Sequence, residues 1–298
     1  MQKPKVIAIV GPTSSGKTSL SIEIAKKFNG EVISADSRQV YKGMDIGTGK
    51  VTTEEMGDVP HHLLDVVEPM NVYTAADFER DSLATTEDIV SRNRLPVFAG
   101  GTFFYLDILR GKMQPAPVEP NPTLRAELEK LSDQELLEKL QASDPKRAES
   151  IDPDNRRRII RSLEIIDALG AVPKPVVTDS QYDWLILGID IEKEKLHHNI
   201  HARLLQRIEE GMIEEAKRLH QEGISFERMD ELGLEYRYLA KLLKKEITEE
   251  EMIPELETKI KQFAKRQLTW LKRDKEIVWV EPKNYEVIFR LVADFLSE

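Results

Sequence analysis

Residues 11–18 read GPTSSGKT and match G-x-x-x-x-G-K-[ST], with Gly11, Gly16, Lys17 and Thr18 at the defining positions. The chemistry this pattern serves is the holding of an oligophosphate. Its glycines let consecutive backbone N–H groups turn inward, and the N-terminus of a following helix adds partial positive charge. Gly11, Pro12, Thr13, Ser14, Ser15, Gly16, Lys17 and Thr18 are therefore the candidate phosphate cradle. Lys17 supplies a mobile full charge, and the Thr18 hydroxyl a ligand for Mg²⁺. Asp36 is the second candidate: an acid just beyond an apolar run, where a base is wanted beside a bound phosphate compound. Enzymes that hydrolyse nucleotides commonly add an apolar strand ending in an Asp. Here the run 95–99 ends in Gly100, Gly101 and Thr102, and Asp65 is followed by further apolar residues. An enzyme that binds a diphosphate without hydrolysing a nucleotide is thus as consistent with the loop as an ATP-using small-molecule or nucleoside kinase.

These residues need elements to position them. Residues 6–10 read as a buried strand, and Leu20, Ile24 and Phe28 give the next segment helical spacing. Residues 31–35 and 95–99 read as two more buried strands. In open parallel sheets, ligands bind at the carboxyl ends of strands. Three strand ends would then bring Lys17 and Thr18, Asp36, and Thr102 to one edge. The expected class is α/β, a phosphate-loop parallel-sheet core carrying an inserted small helical domain. Four prolines in 113–123 mark the way out, and AVPKPVVT at 171–178 the way back. The core is expected at 1–112 plus 181–298, the insertion at 113–180. Within it, Ser132 and Glu135 form a capping box, Asp152 and Pro153 suit the start of an arginine-bearing helix, and Gly170 suits its end. Residues 184–191 and 277–280 read as the last two strands, with long helices between them.

GPTSSGKT, ADSRQVYKGMDIGT, PHHLLD at 60–65, GGTFFYL at 100–106 and AKRQLTWLKRD at 264–274 together resemble the tRNA dimethylallyltransferases. The motifs keep that family's order over nearly the whole chain. Three depart from its usual form: GPTSSGKT for GPTASGKT, GGTFFYL for GGTGLYL and GTGKV for GTAKP. The bulk of Phe103 and Phe104 bears on the shape of the pocket. The resemblance implies transfer of a dimethylallyl group from dimethylallyl diphosphate to the exocyclic amine of the tRNA adenosine immediately 3′ of the anticodon. It implies Asp36 as general base, with Lys17, Thr18 and a Mg²⁺ on the diphosphate. Arg203 matches a family arginine that contacts the pyrophosphate. Ser37, Arg38 and Gln39 would hold the flipped base and its neighbours, and Thr102 would contact RNA on the opposite wall. Arg125, Arg157, Arg158 and Arg161 on the insertion, with Lys265 and Arg266, would contact the anticodon stem-loop. A prenyltransferase acting on free adenine nucleotides would share the loop but would not need these basic residues.

Composition agrees with such an enzyme. The chain has 298 residues, no cysteine and a formal net charge of −10, which excludes disulfides, thiolate metal sites and a generic basic nucleic-acid binder. No apolar stretch reaches the roughly 18 residues of a membrane span, and the apolar run before Gly11 is too short for a secretory signal. The expected localisation is cytoplasmic, and the expected state a monomer. Against the acidic whole, positive charge is concentrated at Arg156, Arg157, Arg158 and Arg161, and again between Lys259 and Lys275. On a helix, Ile260, Phe263, Ala264 and Leu271 would share the buried face of the second stretch and leave Lys261, Lys265 and Lys272 outside. His197 and His201 have a zinc-compatible spacing, but the first is followed by His198 rather than Glu, and no third ligand is evident.

Overall fold

The computed structural model describes residues 3–153, 155–174 and 176–298. The chain opens β1 (Lys5–Val10), α1 (Lys17–Lys27), β2 (Gly30–Ser34), α2 (Thr53–Met56), β3 (His61–His62), α3 (Ala75–Ser91), β4 (Leu95–Gly100) and α4 (Phe103–Leu109). Four helices follow: α5 (Pro122–Leu128), α6 (Asp133–Ser143), α7 (Pro145–Ser150) and α8 (Arg156–Leu169). The rest is β5 (Asp183–Ile189), α9 (Lys193–Glu209), α10 (Met212–Gln221), α11 (Phe226–Leu232), α12 (Leu234–Leu243), α13 (Glu249–Leu271), β6 (Ile277–Val280) and α14 (Tyr285–Ser297). Two compact units result, residues 1–110 with 179–298, and residues 111–178.

The larger unit is built on a six-stranded, wholly parallel sheet in the order β3-β2-β4-β1-β5-β6. A parallel sheet is covered on both faces, which is why its strands read as unbroken apolar runs. Val6, Ala8 and Val10 point into one cluster with Phe98, Phe103 and Leu106, while Ile7 and Ile9 point into the opposite one with Leu20, Ile24 and Val97. A third cluster joins α9 to α13 around Leu204, Met212, Tyr236 and Leu256. At the sheet margin, Glu31 of β2 is buried and accepts hydrogen bonds from Arg92 and, at 2.6 Å, from His62. Arg92, and His62 after burial's opposing effect, hold its carboxyl down to about 2. Among the described residues no helix is long and apolar enough to cross a membrane.

The smaller unit packs α5 to α8 around Leu128, Leu136, Leu140, Ile159 and Leu163. Ser132 and Glu135 form the reciprocal capping box of α6, and Gly170 ends α8 in the left-handed region at φ 81°. Asp152 and Pro153 do not start α8. Asn155 caps it instead, its side chain accepting the Arg158 N–H, because only a residue immediately outside the first turn can reach that donor.

Candidate functional site

The loop between β1 and α1 is shaped as an anion cradle. Ser14 (φ 61°) and Gly16 (φ 98°) both lie in the left-handed region, a strained conformation for the serine. Gly16 is the N-cap of α1 and supplies no side-chain acceptor, so the first-turn N–H groups stay free for a ligand. This contrasts with α2, α3, α6 and α13, each closed by a capping box. The Ser15 hydroxyl is buried and makes no hydrogen bond. Lys17 donates from Nζ to the Pro12 carbonyl at 2.8 Å. Desolvation lowers its ammonium to about 8, with Asp36 opposing the shift and Arg203 adding to it. One charged group thus feels both the acid and the arginine.

Arg203 reaches this place from α9. Its Nη2 donates to the Gly49 carbonyl at 3.0 Å, and burial followed by the neighbouring Arg207 lowers its guanidinium to about 10. One turn earlier, Asn199 donates to the Ser14 carbonyl at 3.2 Å. Lys17, Thr18, Asn199 and Arg203 line a cavity of about 1100 Å³ together with Gly49 and Lys50. That volume lies at the upper limit of the roughly 300–1,000 Å³ of small-ligand pockets, so the cavity is an open entry rather than a fitted slot.

Asp36 follows β2 and Thr102 follows β4. Because β2, β4 and β1 are adjacent and parallel, both residues lie at the same edge as the phosphate loop. Asp36 Oδ1 accepts the Arg38 N–H at 2.8 Å. Thr102 is the N-cap of α4 but does not cap it; its Oγ1 accepts the Ser37 N–H at 3.1 Å, and its own N–H donates to the Ala35 carbonyl. Gly100 admits no side chain, since a Cβ there would meet the Ala35 oxygen at 2.1 Å. Gln39 accepts from the Ser34 hydroxyl at 3.1 Å and donates to the Gly49 carbonyl at 3.2 Å. The Gly49 oxygen therefore joins the Asp36 segment to Arg203. Phe103 enters the core while Phe104 is exposed, so the first of the two bulky residues adds volume to the interior.

Two positioning residues were not read from the sequence. Gln267 of α13 accepts the Thr13 N–H at 2.9 Å and donates to the Gly101 carbonyl at 3.1 Å, tying the phosphate loop to the β4–α4 turn. It occupies the buried stripe Met252, Leu256, Ile260, Ala264, Gln267 and Leu271, and Phe263 is exposed instead. The expected burial of Phe263 fails because the stripe advances by three at Gln267 and leaves 263 on the flank. A lone amide on an apolar helical face was the available signal. Glu215 of α10 accepts the N–H groups of Asp45, Ile46 and Gly47 at 2.8–2.9 Å and the Tyr236 hydroxyl at 2.6 Å. It thereby fixes the loop that presents Gly49. Gly47 must lack a side chain because a Cβ would meet the Tyr236 hydroxyl oxygen at 2.7 Å.

The basic candidates divide. Arg125 and Arg161 both pair with Glu164, at 2.7 and 3.4 Å, and Arg161 also donates to the Val118 carbonyl. Arg156 pairs with Glu129 and Asp133, and the next two residues, Arg157 and Arg158, lie at the surface. Lys265 and Arg266 are exposed on α13. His201 hydrogen-bonds Glu257 at 2.8 Å, and among the described residues no group of three or more His, Cys, Asp or Glu is placed to hold a metal ion. Asp65 lies in an irregular turn at φ 55° and pairs with Lys50 at 2.5 Å.

The family model described as IPP transferase matches residues 39–274. The chain is 41% identical to tRNA dimethylallyltransferase 1 of Geotalea uraniireducens (strain Rf4), over 97% of this chain and 98% of that protein. It is 40% identical to the tRNA dimethylallyltransferase of Thermomicrobium roseum, over 100% and 93%. Among solved structures it resembles the full-length tRNA isopentenylpyrophosphate transferase of Bacillus halodurans, with TM-score 0.74, 38% identity and coverage of 99% and 96%. It also resembles a eukaryotic dimethylallyltransferase acting on tRNA, with TM-score 0.82, 29% identity and coverage of 99% and 80%.

Proposed function

This chain belongs to the IPP transferase family of tRNA dimethylallyltransferases, and on that premise we propose that it transfers the dimethylallyl group of dimethylallyl diphosphate to the exocyclic amine of the adenosine 3′ of the anticodon. The observation that carries the proposal is the meeting, at one sheet edge, of an uncapped phosphate loop and an acid, with Lys17 feeling both Asp36 and Arg203. The amine nitrogen attacks the allylic carbon, the carbon–oxygen bond breaks and diphosphate departs. Asp36 takes the proton released as the new carbon–nitrogen bond forms. Its Oδ1 is engaged by Arg38, which leaves Oδ2 for that transfer. The adenine leaves the loop stack to reach it, with Ser37, Arg38 and Gln39 around the base and Thr102 on the opposite wall.

On the leaving group, the loop N–H groups, Lys17 and Arg203 stabilise the charge that grows as the bond breaks. The residues present fit a Mg²⁺: Thr18 would hold it through its hydroxyl, and among the described residues no cluster of three or more His, Asp or Glu side chains competes for it. Such an ion supplies charge neutralisation on the diphosphate. Arg157, Arg158, Lys265 and Arg266 would contact the anticodon stem-loop, the protein acting as a cytoplasmic monomer.

The test is incubation with Mg²⁺, radiolabelled dimethylallyl diphosphate and unmodified tRNA. Label is expected on the anticodon-loop adenosine, and Asp36→Ala should lower kcat about 10²–10⁴-fold with tRNA still bound. Label entering free adenine nucleotides and not tRNA would overturn the acceptor assignment.

A further inference from the structure

The outward face of α13 and the turn that ends it carry a seven-residue repeat, Phe263-Ala-Lys-Arg266 and Trp270-Leu-Lys-Arg273. In each copy the arginine guanidinium lies over the aromatic three residues before it, at 6.0 Å for Arg266 on Phe263 and 5.9 Å for Arg273 on Trp270. Both rings are exposed, Phe263 at 41% and Trp270 at 36%. The Trp270 indole N–H donates to Asp107 at 3.3 Å, which fixes the plane of that ring. Lys265, Arg266, Thr269, Trp270 and Arg273 line an open groove of about 410 Å³. None of Lys265, Arg266, Lys272 or Arg273 forms an ion pair among the described residues, unlike Arg80, Arg92 and Arg218, which are likewise exposed and do.

We propose that Phe263 with Arg266 and Trp270 with Arg273 form two stacking platforms that hold unpaired nucleotides of the tRNA anticodon loop beside the catalytic edge. This rests on the tRNA reading above. Residues seven apart lie on one helical face about 10.5 Å apart along the axis, a span of roughly three nucleotide steps at about 3.4 Å each. An aromatic capped by a guanidinium suits the face of a base and the charge of its phosphate at once. Bases in a duplex have their faces covered, so the occupant is single-stranded loop rather than stem. The same helix turns Gln267 inward onto Thr13 and Gly101. A loop seated on its outer face would thus be registered against the residues that hold the diphosphate.

The decisive comparison is Trp270→Leu against Trp270→Phe, with Phe263→Leu as a second site. Trp270→Leu keeps apolar bulk but removes the ring face, and should raise KM for tRNA about 10- to 100-fold with kcat nearly unchanged. Trp270→Phe should restore most of the loss. Tryptophan fluorescence of the wild type should be quenched by an anticodon stem-loop RNA, not by a duplex of the stem alone, and Trp270→Phe should remove most of that quench. Equal KM values for wild type and both leucine variants would overturn the platforms while leaving the transferase reading intact. Equal quenching by duplex and stem-loop would overturn the choice of unpaired bases. Wild type that quenches with stem-loop but transfers no label would overturn the transferase reading and leave the platforms standing.

Discussion

Arg156 and Arg161 of α8 and Lys265 and Arg266 of α13 all belong to dense basic runs in an acidic chain, and the two pairs dispose of their charge in opposite ways. In the smaller unit, Arg125 and Arg161 surround Glu164, whose side chain is fully buried, and Arg156 ties α8 to Glu129, Asp133 and the carbonyls that end α5. That charge stands in for apolar packing within a small core. On α13 and just past its end, Lys265, Arg266, Lys272 and Arg273 are exposed and form no ion pair among the described residues, and the inner face of the helix holds Gln267. Electrostatic attraction for RNA comes from cations whose field is not already neutralised at short range. Basic residues alone do not mark such a surface; their pairing does.

The largest effect that would sharpen this contrast is structural. Arg125→Leu with Arg161→Leu leaves Glu164 buried without a cation, at a cost of about 3–5 kcal/mol. Denaturant unfolding followed in residues 111–178 should register it, and adding Glu164→Leu should recover most of it. If the double variant is as stable as wild type, Glu164 is not held as described. Next is Gln267→Leu, which keeps the helix stripe apolar but unties Thr13 from Gly101. It should lower kcat about 10²-fold with tRNA affinity kept, because misplacing a catalytic frame by about 1 Å costs that much.

Smaller, and specific to α13, is Lys265→Gln with Arg266→Gln. It should weaken tRNA binding about tenfold and reduce the salt slope of log K by roughly 1.4, at about 0.7 per cation for single strands. The same substitutions at Arg125 and Arg161 should leave the slope unchanged in protein that remains folded. The mildest is a matter of pH. Lys17 carries its proton only below about 8 in the free enzyme, so kcat/KM for the diphosphate should fall as pH rises through 8, approaching tenfold per unit. Lys17→Arg keeps its charge through that range, and a break persisting at pH 8 in that variant would assign it to another group.

What the sequence determined by itself is local. Gly11 to Thr18, the strand before them and the acid and threonine after two other strands were all legible, because a phosphate loop is built from contiguous backbone and a parallel sheet delivers every strand end to the same edge. The Ser132–Glu135 cap and the Gly170 stop were legible for the same reason, each being settled within a few residues. Only the tertiary structure decided that Gln267, some 250 residues from Thr13, bridges two site loops, and that Glu215 and Tyr236 grip the backbone around Gly47. It also decided that Arg161 faces an acid while Arg266 faces outward. A hydrogen bond or an ion pair depends on where two distant segments meet to within a few tenths of an ångström. Hydrophobic periodicity sets which face of a helix is buried, but it does not say which polar group waits on the other side.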